Sequence, residues 1–156
     1  MAFTTASILP KRKRPAAALK TADYVRLASF RYAVRSFLYF SEQAAARVGL
    51  TGQQYQALLV VRSLAGSAPV SIADLADQLL LKHNSAVGLA DRLVAQSLIV
   101  RDRIPENRRK VELRLTARGE KVLSKLAAIH RRKLRSIGPD MNRMLEGMTN
   151  AWREAD

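Results

Sequence analysis

Apolar residues recur three, four and seven positions apart along most of this chain, the spacing of amphipathic helices, and alternate with polar ones in a stretch past its middle. From Thr21, the residues Leu27, Phe30, Val34, Phe37, Leu38, Ala44, Ala45 and Val48 share one helical stripe, which stops at Gly49, a residue suited to a left-handed helix end. Tyr24, Arg31, Arg35 and Tyr39 lie largely off that stripe and form a second, mixed aromatic and cationic face. A helix of about seven turns has more apolar length than one neighbour covers in a small domain, which favours a partner subunit.

Thr51-Gly52-Gln53-Gln54 is a capping box opening a second helix, which Tyr55, Leu58 and Leu59 carry towards the break at Gly66-Ser67-Ala68-Pro69. Val70 reads as a single bridging residue. Ser71 caps a short helix with Leu75, Ala76 and Leu79 inward and Asp74 near its favourable end. Leu79-Leu80-Leu81 makes the turn to a further helix, capped by Asn84 or Ser85 and burying Val87, Ala90, Leu93 and Val94. Lys82, His83, Asn84, Ser85, Gly88 and Arg92 are left on its opposite side, short or forked donors of the kind that base edges and phosphates require.

The runs Leu98–Arg103 and Lys110–Leu115 are apolar or alternate with period two, and Ile104–Arg109 between them carries Pro105 and Asn107 at turn positions, which predicts a hairpin with cations at its tip. Thr116 caps a long helix with Val122, Leu123, Leu126, Ile129 and Leu134 on one face, continuing to about Ser136. Gly138-Pro139 is expected to break it, and Met141, Met144, Leu145, Met148 and Trp152 form the stripe of a last helix. A methionine stripe at this spacing is packing, much of it between subunits. The expected fold is mainly α with a small β-hairpin wing, a helix-turn-helix unit over residues 51–116 flanked by long helices over 21–50 and 117–156.

Charge then narrows the partner. The 156 residues hold 27 Lys and Arg against 13 Asp and Glu, a formal charge of +14, so the surface attracts polyanions, nucleic acid or an anionic membrane. Residues 1–20 show no periodicity and surround Lys11-Arg12-Lys13-Arg14 with Thr, Ser, Ala and two prolines. They read as a flexible basic arm that tracks phosphates, resembles a nuclear localisation signal or is simply solvated. The absence of cysteine removes disulfides, thiolate metal sites and thiol nucleophiles, and is compatible with a cytoplasmic location. No stretch has the form of a signal peptide or the roughly 18 apolar residues of a membrane span.

His83 and His130 stand apart from any carboxylate cluster with ligand spacing, so neither a metal nor a cofactor is expected. His83 reads as a phosphate or base contact, or as a solvated helix-end residue. Nothing matches a P-loop, a dinucleotide fingerprint, a serine elbow or a catalytic carboxylate pair, and an enzyme is not expected.

The order of long helix, helix, two-helix unit, hairpin and terminal helices over about residues 22 to 154 resembles the MarR family of winged-helix regulators. Its most specific part is Asn107-Arg108-Arg109 followed by Val111, Leu113, Leu115-Thr116 and Gly119, similar to the family's D-x-R, alternating apolar positions and L-T-x-x-G. Asp91-Arg92-Leu93 followed by Leu98-Ile99-Val100-Arg101 is similar to the family's D-R-L-x-x-x-G-L-V-x-R. Asn107 stands where the family has aspartate. Ser97 stands where it has glycine, so a less sharply left-handed helix end is expected there. The lack of cysteine excludes the branch that senses peroxide through a thiol.

The resemblance implies a cytoplasmic homodimer, joined by the first and last helices, on a pseudo-palindromic operator in double-stranded DNA. Asp91 and Arg109 would pair to hold the wing, and Arg108 or Arg109 would enter the minor groove beside Lys110. It also implies a transcriptional repressor released by a small aromatic or phenolic acid, which Arg31, Arg35, Tyr39 and Tyr55 would face. The reading from another class is a basic architectural or RNA-binding protein without a sequence target, whose DNA binding would vary with salt and not with sequence.

Overall fold

A computed structural model describes the backbone of residues 18–66, 68–104 and 107–153 and, of these, the side chains of all but 107–110. The Lys11 to Arg14 arm and the side chains of Arg108, Arg109 and Lys110 therefore lie outside the described residues. The elements are α1 (Thr21–Ala46), α2 (Gly52–Leu64), α3 (Ile72–Gln78), α4 (His83–Ala95), β1 (Ile99–Ile104), β2 (Asn107–Leu115) and α5 (Ala117–Arg153). Their order is the mainly α arrangement with one antiparallel hairpin that the patterning predicts.

Local chemistry sets most boundaries. At α2 the Thr51 hydroxyl accepts from the Gln54 N–H (3.1 Å) and the Gln54 amide oxygen accepts from the Thr51 N–H (2.9 Å). Ser71 and Asp74 repeat the exchange at α3. After α1 the chain reverses at Gly49, whose φ of 77° is left-handed. Val70 bridges to Leu113 of β2 and so ties the start of the helix pair to the hairpin.

One core joins the parts, with Leu58 and Val61 of α2, Leu75 of α3, Leu89 and Leu93 of α4, Ile99 and Leu113 of the hairpin and Leu126 of α5 all essentially inaccessible. α1 and α5 run antiparallel beside this unit. Ser41 of α1 meets His130 of α5, and Asp23 meets Trp152, whose indole N–H donates to Oδ1 at 3.2 Å.

Five local expectations are corrected. α5 is one helix through Pro139, not two. Pro139 removes a single intrahelical bond, and both it and Arg135, whose carbonyl loses its donor, are exposed, so the group is open to solvent. In α4 the N-cap is Lys82, which makes no side-chain cap bond, so neither Asn84 nor Ser85 caps. The buried line of that helix is Ala86, Leu89, Ala90 and Leu93, while Val94 is 38% exposed.

The hairpin differs as well, because β2 begins at Asn107 and not at Lys110, so Asn107, Arg108 and Arg109 lie in a strand and Ile104 pairs with Asn107. A register irregularity between Arg103 and Ile104 absorbs the extra residues of the longer strand. Finally, Ser97 adopts φ 56° although it lacks glycine's freedom. Its N–H bonds to Val94 O (2.8 Å) and the Leu98 N–H to Leu93 O (3.0 Å), the paired bonds of a Schellman end, and these hold the backbone left-handed against the side chain's preference.

Candidate nucleic-acid interface

The turn between α3 and α4 sets how α4 is displayed. Leu80 takes φ 53°, with its N–H on Asp77 O (3.2 Å) and the Leu81 N–H on Ala76 O (2.8 Å), so α3 stops sharply at Gln78 and the chain reaches the α4 N-cap at Lys82, two residues after Leu80. Leu80 itself is 94% exposed at the apex. With Ala86, Leu89, Ala90 and Leu93 inward, α4 leaves Lys82, His83, Asn84, Ser85 and Arg92 exposed and Gly88 half-buried, all in its first turns or on its outer side. Because no side chain caps the helix, the amide of Asn84 and the hydroxyl of Ser85 are not consumed by the backbone.

The hairpin stands beside this helix. Arg101 of β1 reaches back to α4, where one guanidinium nitrogen lies 2.8 Å from Asp91 Oδ1 and 3.3 Å from the carbonyl of Val87. Asp91 therefore links α4 to the hairpin, but through Arg101, the arginine that closes the motif opened by Asp91. The side chain of Arg109, its expected partner, lies outside the described residues. Within the hairpin Arg114 pairs with Asp102 and with Glu112 (3.3 Å), and the Asp102 hydrogen bond pushes the guanidinium's pKa up from its ordinary value.

These pairings matter for the field, since they engage Asp91, Asp102 and Glu112 with arginines. Among the described residues no carboxylate forms an ion pair with Lys82 or Arg92, which leaves α4's exposed side cationic. A cleft of about 580 Å³ opens between α3, the start of α4 and the hairpin, with His83, Ser71 and Asp74 facing Ile104 and Val111. No cluster of three metal-ligating side chains occurs among the described residues.

The chain separates the four residues expected to face a ligand. Arg31, Arg35 and Tyr39 lie on the exposed side of α1, with Tyr39 69% exposed, whereas Tyr55 is 4% exposed in the core. Tyr55 instead stacks on His130 at 4.3 Å between ring centroids, and burial raises its pKa. The imidazole is edge-on to Phe37 and Phe40, with Nδ1 2.8 Å from Leu126 O and Nε2 2.8 Å from Ser41 Oγ. The signal for this cluster is that His130 continues the buried line Gly119, Leu123, Leu126 along α5. A cavity of about 550 Å³ opens at Tyr55 and His130, walled by Leu59 and Leu134, with Arg131 and Arg135 at its edge.

Known proteins share this arrangement. The model of the MarR family matches residues 48–110, from the end of α1 into β2. The HTH-type transcriptional regulator FarR of Neisseria gonorrhoeae is 31% identical over 80 residues, 51% of this chain and 53% of that protein, so the match spans about half the length of this curated relative. The crystal structure of RV1404 from Mycobacterium tuberculosis is 26% identical, with a TM-score of 0.64 over 89% of this chain and 99% of that one. MepR of Staphylococcus aureus, a transcription regulator of a multidrug efflux pump, superposes with a TM-score of 0.67 over 88% of this chain and all of that one at 15% identity. A MepR mutant bound to an oligodeoxyribonucleotide gives 0.62 over the same shares at 17% identity, and both MepR structures speak for the fold. With the helix pair and most of the hairpin inside the matched residues and the flanking helices in the shared fold, this chain is similar to MarR family proteins in its helix-turn-helix region and shares their fold.

Proposed function

We propose that two copies of this chain pair through α1 and α5 and regulate transcription by binding a pseudo-palindromic operator, as a repressor that a small aromatic or phenolic acid releases. The observation that carries this reading is the polar, uncapped start of α4 exposed beside the hairpin. A helix of this size fits the major groove. Asn84, Ser85 and His83 would meet base edges there, with Gly88 permitting close approach and Lys82 and Arg92 on phosphates. Arg108, Arg109 and Lys110 of β2 would follow the adjacent minor groove, whose negative potential attracts guanidinium groups.

Pairing is supported by apolar side chains that a single chain leaves uncovered, Tyr24, Val25, Tyr32, Leu38 and Tyr39 on α1 and Leu134, Met144 and Leu145 on α5. Two heads about 34 Å apart would then read successive major grooves on one side of the duplex. The cavity at Tyr55 and His130 suits the effector, with aromatic and leucine walls for a ring and Arg131 and Arg135 for its carboxylate.

Selection of bound duplexes from a random pool, followed by gel-shift titration, tests the reading. A recovered sequence with two half-sites should bind at least about a thousandfold tighter than random DNA. Equal affinity for all sequences would overturn it in favour of a sequence-independent basic protein. Aromatic acids such as salicylate should weaken operator binding, and affinity unchanged at saturation would remove the effector part.

A further inference from the structure

Between Glu120 and Asp140 the chain holds six cations, Lys121, Lys125, Arg131, Arg132, Lys133 and Arg135, and no acid. All of this lies within α5, where like charges four residues apart, Lys121 with Lys125 and Arg131 with Arg135, repel and weaken the helix. Lys133 sits over the Phe40 ring at 5.3 Å, and Arg131 and Arg135 edge the cavity at Tyr55. The others form a separate feature. Arg118, Lys121, Lys125 and Arg132 fall within a narrow sector on the side of α5 away from its buried line of Gly119, Leu123, Leu126 and His130, and all four are exposed. None of them is in an ion pair among the described residues, whereas Glu120 is drawn off to Arg62 of α2 at 3.4 Å.

We propose that this outer stripe of α5 is a second, sequence-independent contact surface for the phosphates of double-stranded DNA, separate from α4 and the hairpin. A straight row from Arg118 to Arg132 is about 21 Å long, at about 1.5 Å per residue. One DNA strand presents a phosphate about every 3.4 Å of helix axis, so several phosphates lie within reach of the row. The exposed residues around it, Ser124, Ala128 and Ser136, are small, and no large apolar side chain stands among the cations to enter a lipid surface. That composition favours a nucleic-acid backbone over a membrane. The stripe goes beyond the operator reading, because it needs neither α4 nor a preferred sequence.

The test compares the full chain with the variant Lys121→Ala, Lys125→Ala and Arg132→Ala on a random-sequence duplex, measuring affinity by fluorescence anisotropy across salt concentrations. Alanine at exposed helical sites maintains the helix, which unchanged circular dichroism verifies, and a second variant with glutamine at the three positions preserves side-chain length. Each phosphate contact contributes about 0.9 to the slope of log affinity against log salt, so the slope should fall by about 2 to 3 in both variants. An unchanged slope overturns the proposal, and variant-sensitive capture by phosphatidylcholine vesicles containing phosphatidylserine alongside it would assign the stripe to a membrane surface instead. Repeating the titration in an Arg108→Ala, Arg109→Ala background separates the two readings. Loss of operator preference with the stripe-dependent slope intact is expected there, and loss of the slope's dependence on the stripe would overturn it.

Discussion

The hydroxyl of Thr116 donates a 2.7 Å hydrogen bond to the carbonyl of Ser97, so the residue that starts α5 also fastens the end of α4. The same oxygen accepts from the Gly119 N–H at 2.9 Å, and the Thr116 N–H donates to Leu98 O at 3.1 Å. The end of α4, the hairpin base and the long terminal helix are thus joined at one point. Thr116→Val keeps the shape and loses the hydroxyl, and by analogy with other N-caps should cost about 1 to 2 kcal/mol in urea unfolding. Thr116→Ser should restore most of it, and a valine variant as stable as the parent would remove this joint.

Ser97 holds a left-handed conformation that a non-glycine residue adopts at a cost of about 1 to 2 kcal/mol. Ser97→Gly relieves that strain but adds about 0.5 to 1 kcal/mol of unfolded-chain entropy. A net gain of up to about 1 kcal/mol should raise the melting temperature by roughly 2 to 4 °C. A lowered midpoint would show that the Ser97 side chain stabilises the turn more than its backbone strains it.

Capping at Thr51, Ser71 and Thr116 is legible in the sequence because the acceptor and its N–H are three residues apart and nothing distant is involved. The register of α4 is not. Its Ala86-Val87-Gly88-Leu89-Ala90 segment supports two stripes one residue apart, and only packing on the core selects Ala86 and Leu89 over Val87 and Val94. Pro139 looks like a break because the local rule weighs one lost bond, whereas packing of α5 beyond it, with Met148 buried and Trp152 bonded to Asp23 of α1, carries the helix through. His130 and Ser41 are 89 residues apart, and no local pattern announces that their side chains meet.

Gly119 is fixed by contact and not by conformation. A Cβ there would lie 2.0 Å from the carbonyl oxygen of Leu98, which is backbone and cannot swing aside. Gly119→Ala should therefore destabilise by about 1 to 3 kcal/mol, the range of overpacked sites. Gly147, in the same helix with nothing within 4 Å of its would-be Cβ, is the control, and Gly147→Ala should stabilise by about 0.5 to 1 kcal/mol. Equal effects of the two substitutions would contradict the close approach of α5 to Leu98.

Acid should loosen the start of α3 in a way that one side chain controls. The Ser71 hydroxyl and N–H both donate to Asp74 Oδ2, at 2.7 and 2.8 Å, and hold its carboxyl below the ordinary range, the hydroxyl having the larger effect. With the folded pKa below the unfolded one, the stabilisation is complete above the ordinary carboxylate range and is lost as pH falls through the folded value. Urea midpoints between about pH 5 and about pH 2 should therefore fall less steeply in Asp74→Asn than in the parent chain. Parallel curves would mean that this capping box does not bind the charged form preferentially.

The Asp91–Arg101 pair separates positioning from stability. Its side chains are 57% and 32% exposed, so the ion pair should contribute no more than about 1 kcal/mol to folding. Arg101 nevertheless also bonds to the Val87 carbonyl, and these contacts fix the hairpin's angle to α4, on which simultaneous reading of both grooves would depend. Asp91→Ala and Arg101→Ala should each leave the melting temperature nearly unchanged while weakening operator binding by about fivefold or more, equivalent to about 1 kcal/mol. Because both remove the same brace, the double variant should bind little worse than either single one. Fully additive losses would instead mean that the two residues meet DNA separately, and the wing would then need another anchor.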